Sequence, residues 1–207
     1  MKRLFLVAVV LSPLAVQAQP TAPPVANATA KVAPIPVVPG KSVGKVWLGA
    51  PRGTVRHILG KPSTIKARGD NLTVDEWLGP EVKDSWNNIS QRRFAVVYRH
   101  ERAVQIEFNS PSYRTSQGIS TNSSLGEFRK FFRPRLRAYL YTEGGGGFRY
   151  YAYDDRRRGL AFAFGGQDSY DARVLPEILV VHRRGAAMIV NPGGEPGQTS
   201  DEIPVQK

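Results

Sequence analysis

Two segments of the chain repeat one pattern of apolar and polar positions. They cover residues 46–62 and 119–134, and they match at an offset of 73 residues. In each segment apolar residues recur at positions i, i+3 and i+4, which predicts one amphipathic helix of about three turns. The apolar positions are Val55, Ile58 and Leu59 in the first segment and Phe128, Phe131 and Phe132 in the second.

The residues at the start of each segment favour the same interpretation. Pro51 suits the first position of a helix, where no backbone N–H is needed. The second helix is predicted to begin at Ser123 or Ser124, with Glu127 placed to complete a capping box.

Apolar and polar residues alternate after each predicted helix, which predicts strands with one buried face. The run Val104-Gln-Ile-Glu-Phe108 is the clearest case, with its three apolar side chains on one side. Residues 100–102 are short enough for a hairpin turn, and residues 144–147 supply a flexible link between two strands. The predicted strands cover residues 71–77, 93–99 and 103–109 in the first half and 138–142, 148–154, 159–164 and 175–182 in the second.

These elements predict an α+β fold made of two tandem units. Each unit has one or two short helices packed on an antiparallel sheet of three to four strands, and the units cover residues 41–117 and 118–190. Neither unit could bury enough apolar surface by itself. We therefore expect the two units to share a core or to form a continuous sheet.

The chain begins with a pattern typical of a secretory signal peptide. Two basic residues precede an apolar run over residues 4–16, which is too short to span a bilayer, and the small residue Ala18 fits a signal-peptidase site. We predict a signal at residues 1–18, cleaved after Ala18, and no transmembrane segment in the mature chain. Residues 19–40, rich in Pro and Ala, are predicted to form a disordered spacer, and residues 191–207 a disordered tail.

Composition limits the environment and the partners. The chain has no cysteine, which excludes disulfides, thiolate chemistry and a lipid-modified cysteine anchor. Loss of Lys2 and Arg3 with the signal lowers the formal net charge from +12 to +10. A basic exported protein meets anionic lipid head groups and cell-wall polymers, and its charge raises the rate of those encounters.

Several short motifs carry a resemblance to a known fold. They are Leu48-Gly49-Ala50, Leu59-Gly60-Lys-Pro62 and Trp77 in the first half, and Gly118-Ile119-Ser120 and Tyr153-Asp154-Asp155 in the second. Together with the tandem pattern and the signal, they make the chain similar to the fold shared by beta-lactamase-inhibitor proteins and the SmpA/OmlA family of small outer-membrane lipoproteins. The resemblance covers most of residues 44–182 and implies a fold and a habit of protein binding, not catalysis. The cysteine anchor of the lipoproteins and the disulfides of the inhibitors are impossible here, so no binding residue is carried over.

The polar residues form no recognisable catalytic or metal-binding motif. The three histidines, His57, His100 and His182, lack the spacing that places two metal ligands on one helical face, and we interpret them as surface or structural residues. Asp154 and Asp155 precede a run of arginines, and we interpret them as part of a solvated hairpin turn. We therefore predict no catalytic, cofactor-binding or metal-binding residue.

Arginine and tyrosine alternate in the predicted strand 148–154. Strand geometry places Arg149, Tyr151 and Tyr153 on one face of the sheet. Tyrosine and arginine are enriched in the energetically dominant parts of protein interfaces, so these three are the candidate partner-binding residues. In the alternative interpretation the tyrosine rings lie in the shared core, with their hydroxyls at its edge.

These observations predict an exported, soluble, non-enzymatic binding module of the periplasm or the extracellular medium. Its expected partner is a protein, bound through the sheet of the second half, and nucleic acid is not an expected partner. An alternative is a basic envelope-associated module that binds anionic lipid or cell-wall polymer by charge. A further alternative is a hydrolase whose catalytic groups converge from distant positions.

Overall fold

The computed structural model describes residues 33–68, 71–83, 89–143, 146–165, 173, 175–189 and 200–203. All of them belong to the larger of the two compact units into which the chain divides, residues 32–207. The helices of this described part are α1 (Arg52–Leu59) and α2 (Leu125–Phe131). Its strands are β1 (Ile35–Val38), β2 (Ser42–Val43), β3 (Val46–Trp47), β4 (Thr64–Arg68), β5 (Leu72–Lys83), β6 (Ile89–Arg99), β7 (Arg102–Phe108), β8 (Tyr113–Thr115), β9 (Arg135–Glu143), β10 (Gly146–Asp155), β11 (Leu160–Gly165), β12 (Ile178–His182) and β13 (Ser200–Ile203).

The strands form two sheets, and the fold is α+β as predicted. The nine-stranded sheet has the order β13-β9-β10-β11-β12-β7-β6-β5-β4, with antiparallel neighbours throughout. The four-stranded sheet has the order β3-β2-β1-β8, and its β1–β8 pair is parallel. Because β12 pairs with β7, strands from both halves of the chain form one continuous sheet, which confirms that expectation.

Each helix precedes a run of strands in which every strand pairs with the next one along the chain. Helix α1 comes before β4, β5, β6 and β7, and α2 comes before β9, β10, β11 and β12. The two runs meet through their last strands. Six of the predicted strands match β5, β6, β7, β9, β10 and β11, whereas the seventh, predicted over residues 175–182, begins only at Ile178.

The helix ends follow the local chemistry. Ser124 caps α2: its side chain accepts a hydrogen bond from the backbone of Glu127, whose own side chain accepts one from the backbone of Ser124. This is the predicted capping box. Pro51 is the N-cap of α1, one position before the predicted place, and it offers no side-chain hydrogen bond.

One face of the nine-stranded sheet, named here the covered face, packs against α1, α2 and the four-stranded sheet. Large apolar and aromatic side chains fill this main core because strand alternation brings every second residue to the same side. Phe131 is an exception to the predicted apolar stripe of α2, since it is 42% exposed. Fully buried members of this core include Val55, Ile106, Phe108, Phe128, Phe162 and Leu179.

The opposite face of the same sheet carries small and charged side chains. Met188 and Ile189, from the segment after β12, pack on two small apolar clusters of this face. One row of directly paired residues crosses seven strands and consists of Glu76, Ala95, Glu107, Val180, Ala161, Asp154 and Arg135.

Two stretches predicted to be disordered contribute strands. Residues 35–38 of the predicted spacer form β1, which lies between β2 and β8, and Val37 is buried in the main core. Apolar burial of this side chain outweighs the disorder that a Pro-rich composition favours. Residues 200–203 of the predicted tail form β13, which pairs with β9.

Candidate functional site

The residues predicted to bind a partner lie on β10. Tyr151 and Tyr153 share one face, as their spacing predicts, but that face is the covered one. Their side chains are 4% and 1% exposed. Both rings stack on Phe164, and their centroids lie 5.8 and 5.9 Å from the centroid of the Phe164 ring. The side chain of Arg149 lies outside the described part of the chain. The two tyrosines therefore belong to the core, as the alternative interpretation expected, and offer no surface to a partner.

Asp154 and Asp155 are buried, and the prediction of a solvated turn for them was wrong. Asp155 Oδ2 accepts a hydrogen bond from the backbone N–H of Arg133 at 2.9 Å, and its Oδ1 accepts one from the N–H of Arg158 at 3.2 Å. Such bonds compensate a carboxylate for its lost hydration. Asp155 thereby ties the segment after α2 to the turn between β10 and β11.

Asp154 points to the opposite face and contacts His182, which is also buried. The His182 Nε2 atom lies 2.9 Å from Asp154 Oδ1, and its Nδ1 atom lies 3.1 Å from the carbonyl oxygen of Arg183. The Nε atoms of Arg137 and Arg156 lie 4.0 and 3.5 Å from Asp154 Oδ2. Both ring nitrogens of His182 therefore lie within hydrogen-bond distance of an oxygen atom of the protein. The structural interpretation of His182 thus holds, at the end of β12.

A polar network continues across the same face in the first half. Arg93 lies between two carboxylates, 2.7 Å from Glu76 and 2.7 Å from Glu107. Burial of Glu76 opposes ionisation, but the neighbouring Arg93 and Lys66 hold the pKa of the Glu76 carboxyl below its usual value. On this face, ion pairs and hydrogen bonds therefore lie beside two small apolar clusters.

Gln105 connects this network to the segment after β12. Its side chain donates to the carbonyl oxygen of Ile189 at 2.8 Å and accepts from the N–H of Ile189 at 2.6 Å. It also donates to Glu107 at 2.8 Å. A side chain that pairs with both backbone groups of one residue fixes the position of that residue. Gln105 thus holds residues 183–189 beside β7.

A basic cleft opens between β7, the four-stranded sheet and residues 183–189. Its volume is about 840 Å³, within the range typical of ligand sites. The cationic side chains of the lining are Arg99, Arg102 and Arg183, and the buried His182 also borders the cleft. The apolar part of the lining comprises Leu48, Ala103, Val104, Ala186, Ala187 and Ile189.

The lining of the basic cleft determines what it can bind. Arg99, Arg102 and Arg183 are exposed at its rim, and Arg102 donates to the carbonyl oxygen of Gly49 at 3.2 Å. Among the lining residues that the structure describes, there is no Asp or Glu to neutralise the arginines and no Ser, Thr or Tyr to act as a nucleophile. The arrangement therefore suits an anionic ligand that also has apolar groups.

The sequence contained a partial signal for this cleft. Arg99 and Arg102 bracket the predicted hairpin turn, where His100 and Glu101 adopt positive φ values of 50° and 58°. That turn aims both arginines to one side of the sheet end. Arg183 lies near these two arginines because β12 pairs with β7. No local pattern in the sequence specifies that pairing.

A second charged cluster, also missed, attaches α1 to the covered face. Asp75 accepts hydrogen bonds from Arg52 at 2.8 Å and from Arg56 at 2.8 Å. Burial of the carboxyl works against ionisation, but the hydrogen bonds from Arg56 and Arg52 hold the pKa of Asp75 below its usual value. Burial also raises the pKa of the nearby Tyr98 hydroxyl. The Asp75 carboxylate and the guanidinium groups of Arg52 and Arg56 hold the helix in place, so this cluster is structural.

Comparison with profiles of known protein families, with curated proteins and with solved structures gave no match. No group of three or more His, Asp or Glu side chains in the described ranges could hold a metal ion. Within the same ranges, no helix has the length and apolar character needed to cross a bilayer.

Proposed function

We propose that this chain is an exported, non-enzymatic binding module that holds an acidic segment of a partner protein in the basic cleft. One observation carries the proposal: three exposed arginines and His182 line a cleft, and no carboxylate occurs among the described residues of its lining. The expected ligand is an extended stretch in which acidic and apolar residues alternate.

The chemistry of arginine favours carboxylates as the partner groups. A guanidinium presents its N–H donors in a planar fork that matches a carboxylate, and it can bind that group through two hydrogen bonds. Arg99 comes from the end of β6, Arg102 from the start of β7 and Arg183 from the segment after β12. Charges from three separate elements favour a ligand with several carboxylates along its length over a single small anion.

The apolar part of the cleft favours a peptide over a purely ionic polymer. Val104, Ile189 and Leu48 line the cleft, and the first two also pack on the same small apolar cluster of the sheet. Apolar side chains of a ligand would lose contact with water against these groups. The arginines then supply orientation and rate of association.

A binding role is favoured over catalysis by the groups at the cleft. His182 is the lining residue best suited to acid–base chemistry, and both its ring nitrogens already face acceptors within the protein. The lining within the described ranges contains no hydroxyl side chain that could act with His182. A hydrolase would need a nucleophile or a positioned water held by such groups.

We further infer that the two halves of the chain are tandem units related to the beta-lactamase-inhibitor-like and SmpA/OmlA fold. The order helix, then four sequentially paired strands, occurs twice, and the last strands of the two runs pair with each other. Residues 1–18 act as the export signal in this proposal, and the mature chain begins at Gln19. Mass spectrometry of the exported protein tests this start, and an intact Met1 would contradict it.

Binding is tested with a fluorescein-labelled peptide of alternating Glu and Leu as the probe. The double variant Arg99→Gln with Arg183→Gln removes two rim charges without touching the hydrogen bond of Arg102. Each exposed ion pair contributes about 0.7 kcal/mol, so we expect the Kd, measured by fluorescence anisotropy, to rise about 10-fold.

The matched control is the double variant Lys130→Gln with Arg133→Gln. These residues are exposed on and after α2, against the covered face, and the variant loses the same charge. Its Kd should stay within about 2-fold of the parent value, allowing for long-range attraction. An equal loss of affinity in both double variants would contradict a specific site in the cleft.

A further inference from the structure

The outer face of the four-stranded sheet exposes two large apolar side chains. Trp47 is 42% exposed and Val38 is 40% exposed. Both pair with Ser42, one from each side, so the three residues form a row across β3, β2 and β1. The neighbouring row, which includes Val37 and Val46, points into the main core. Strand alternation therefore holds Trp47 and Val38 away from the protein interior.

Cations surround this apolar row. Lys41 lies in the turn between β1 and β2, Lys45 lies in the turn between β2 and β3, and Arg114 of β8 pairs with Pro36 of β1. All three are exposed. Within the described part of the chain, none of the three makes an ion pair. Their charges thus remain available to an external anion.

The surrounding sequence strengthens the positive charge of this face. From residue 19 the chain contains eight Lys and Arg residues before its first acidic residue, Asp70. Strands β1, β2 and β3, with their turns, come from this acid-free stretch. Since no acidic residue is close in sequence to neutralise these cations, the electrostatic potential around this face is positive.

We propose that this face of the four-stranded sheet docks on the surface of an anionic lipid bilayer. Lys41, Lys45 and Arg114 attract the head groups, and Trp47 with Val38 enters the interfacial region. Indole rings favour the membrane–water interface, and basic side chains near the surface of an anionic leaflet are attracted to it. A soluble polyanion would satisfy the cations but would leave the apolar row in water.

This docking is independent of the basic cleft. Trp47, Val38 and Lys41 are not among the residues that line the cleft. Bilayer binding and peptide binding can therefore occur together, and the failure of one proposal leaves the other intact. The combination would hold a protein partner close to a membrane surface.

The test measures binding of the mature chain to vesicles by co-sedimentation. The vesicles contain equal parts of phosphatidylglycerol and phosphatidylcholine, and vesicles of phosphatidylcholine alone provide the comparison. Binding is expected only to the anionic vesicles. The Trp47→Ala variant should lower the partition coefficient about 5-fold, and Lys41→Gln with Lys45→Gln about 25-fold, as expected for two cations at an anionic surface.

Two control variants separate this face from general charge and general hydrophobicity. Ile65→Ala removes an apolar side chain that is 54% exposed on the edge strand β4. Lys130→Gln with Arg133→Gln removes two charges near α2. Both should leave the partition coefficient within about 2-fold of the parent value. Urea unfolding of each variant checks that the fold is retained.

Tryptophan emission gives a second readout. The parent protein should show a blue shift on binding anionic vesicles, because an indole leaves water. The Trp47→Ala variant retains Trp77 and Trp86 and should show no such shift. Equal vesicle binding by the parent and Trp47→Ala, or equal losses in the Lys41/Lys45 variant and its charge control, would overturn the proposal.

Discussion

The two faces of the nine-stranded sheet use the same strands for different purposes. On the covered face, paired strands present Phe108, Phe162 and Leu179 to the two helices. On the opposite face, the same strands present Glu107, Ala161 and Val180. Both sets are buried: the first fills the main core, and the second belongs to small apolar clusters and a network of ion pairs. We infer that the covered face supplies most of the stability, whereas the proposed binding site is the basic cleft, which residues 183–189 and both sheets border.

Replacing a core aromatic gives the largest effect expected from this comparison. Phe128→Ala removes a ring that stacks on Phe132, with 4.7 Å between the ring centroids, and that packs against Phe162, with 5.6 Å between the centroids. We expect the free energy of unfolding to fall by about 4 kcal/mol, measured by urea denaturation. Phe131→Ala, on the same helix but 42% exposed, should cost about 1 kcal/mol or less. Similar losses of unfolding free energy in the two variants would contradict the assignment of Phe128 to the buried side of α2 and Phe131 to its exposed side.

The next largest loss of stability is expected at Gly159, where backbone segments lie in close contact beside the basic cleft. A Cβ atom on Gly159 would lie 2.3 Å from the carbonyl oxygen of His182 and 2.7 Å from Gly40 Cα, and Gly159 has a φ of 73°. Gly159→Ala should therefore cost about 3 kcal/mol in urea denaturation, from overpacking added to the cost of positive φ.

Gly185→Ala is the matched control for Gly159→Ala. Gly185 has a φ of 81°, but a Cβ there would meet nothing within 4 Å. This variant should lose only about 1 kcal/mol, the cost of the left-handed backbone alone. Equal losses would show that the contact between Gly40, Gly159 and His182 contributes no packing constraint.

Asp75 and Glu76 are neighbours on β5 that point to the two faces of the sheet, and substitutions of the two should differ in their effect on stability. Asp75→Asn removes the charge that pairs with Arg52 and Arg56, and we expect a loss of about 2 kcal/mol at pH 7, because both arginines are partly exposed. Glu76→Gln should cost about 1 kcal/mol, because Arg93 keeps its ion pair with Glu107. Urea denaturation measures both.

The pH dependence provides a separate check on the Asp75 cluster. The pKa of Asp75 is lowered below its ordinary value of 3.8 in the folded protein. Its contribution to stability is therefore complete at neutral pH and is lost as the pH falls through the lowered pKa. The difference in stability between the parent and Asp75→Asn should shrink below about pH 4. A constant difference from pH 7 to acid would contradict an ionised Asp75.

Periodicity in the sequence predicted much of the sheet but not the side that would be covered. Alternation correctly placed Tyr151 and Tyr153 on one face of a strand. The face toward the core was not evident, because Tyr is common both in cores and at interfaces. Only the packing of α1, α2 and the four-stranded sheet decides that question, and this packing joins residues far apart in the chain.

Predictions from composition were wrong in two places where the burial of a single side chain determines the local structure. The Pro-rich stretch before residue 40 contributes β1 because Val37 enters the main core. Asp154, beside a run of arginines, resembles a surface residue in sequence, but His182 contacts it from a strand 28 residues away along the chain. Local patterns contain no information on such distant partners, so the network on the opposite face and the basic cleft were missed.

The proposal that a peptide binds in the basic cleft is tested most directly by mapping the binding site with NMR. A chain that begins at Gln19, labelled with ¹⁵N, is titrated with the Glu-Leu peptide, and amide shifts are followed. The largest shifts should fall on residues 99–105 and 182–189, which border the basic cleft. Shifts concentrated around α2 or β4, or spread evenly over the basic surface, would contradict the cleft as the binding site.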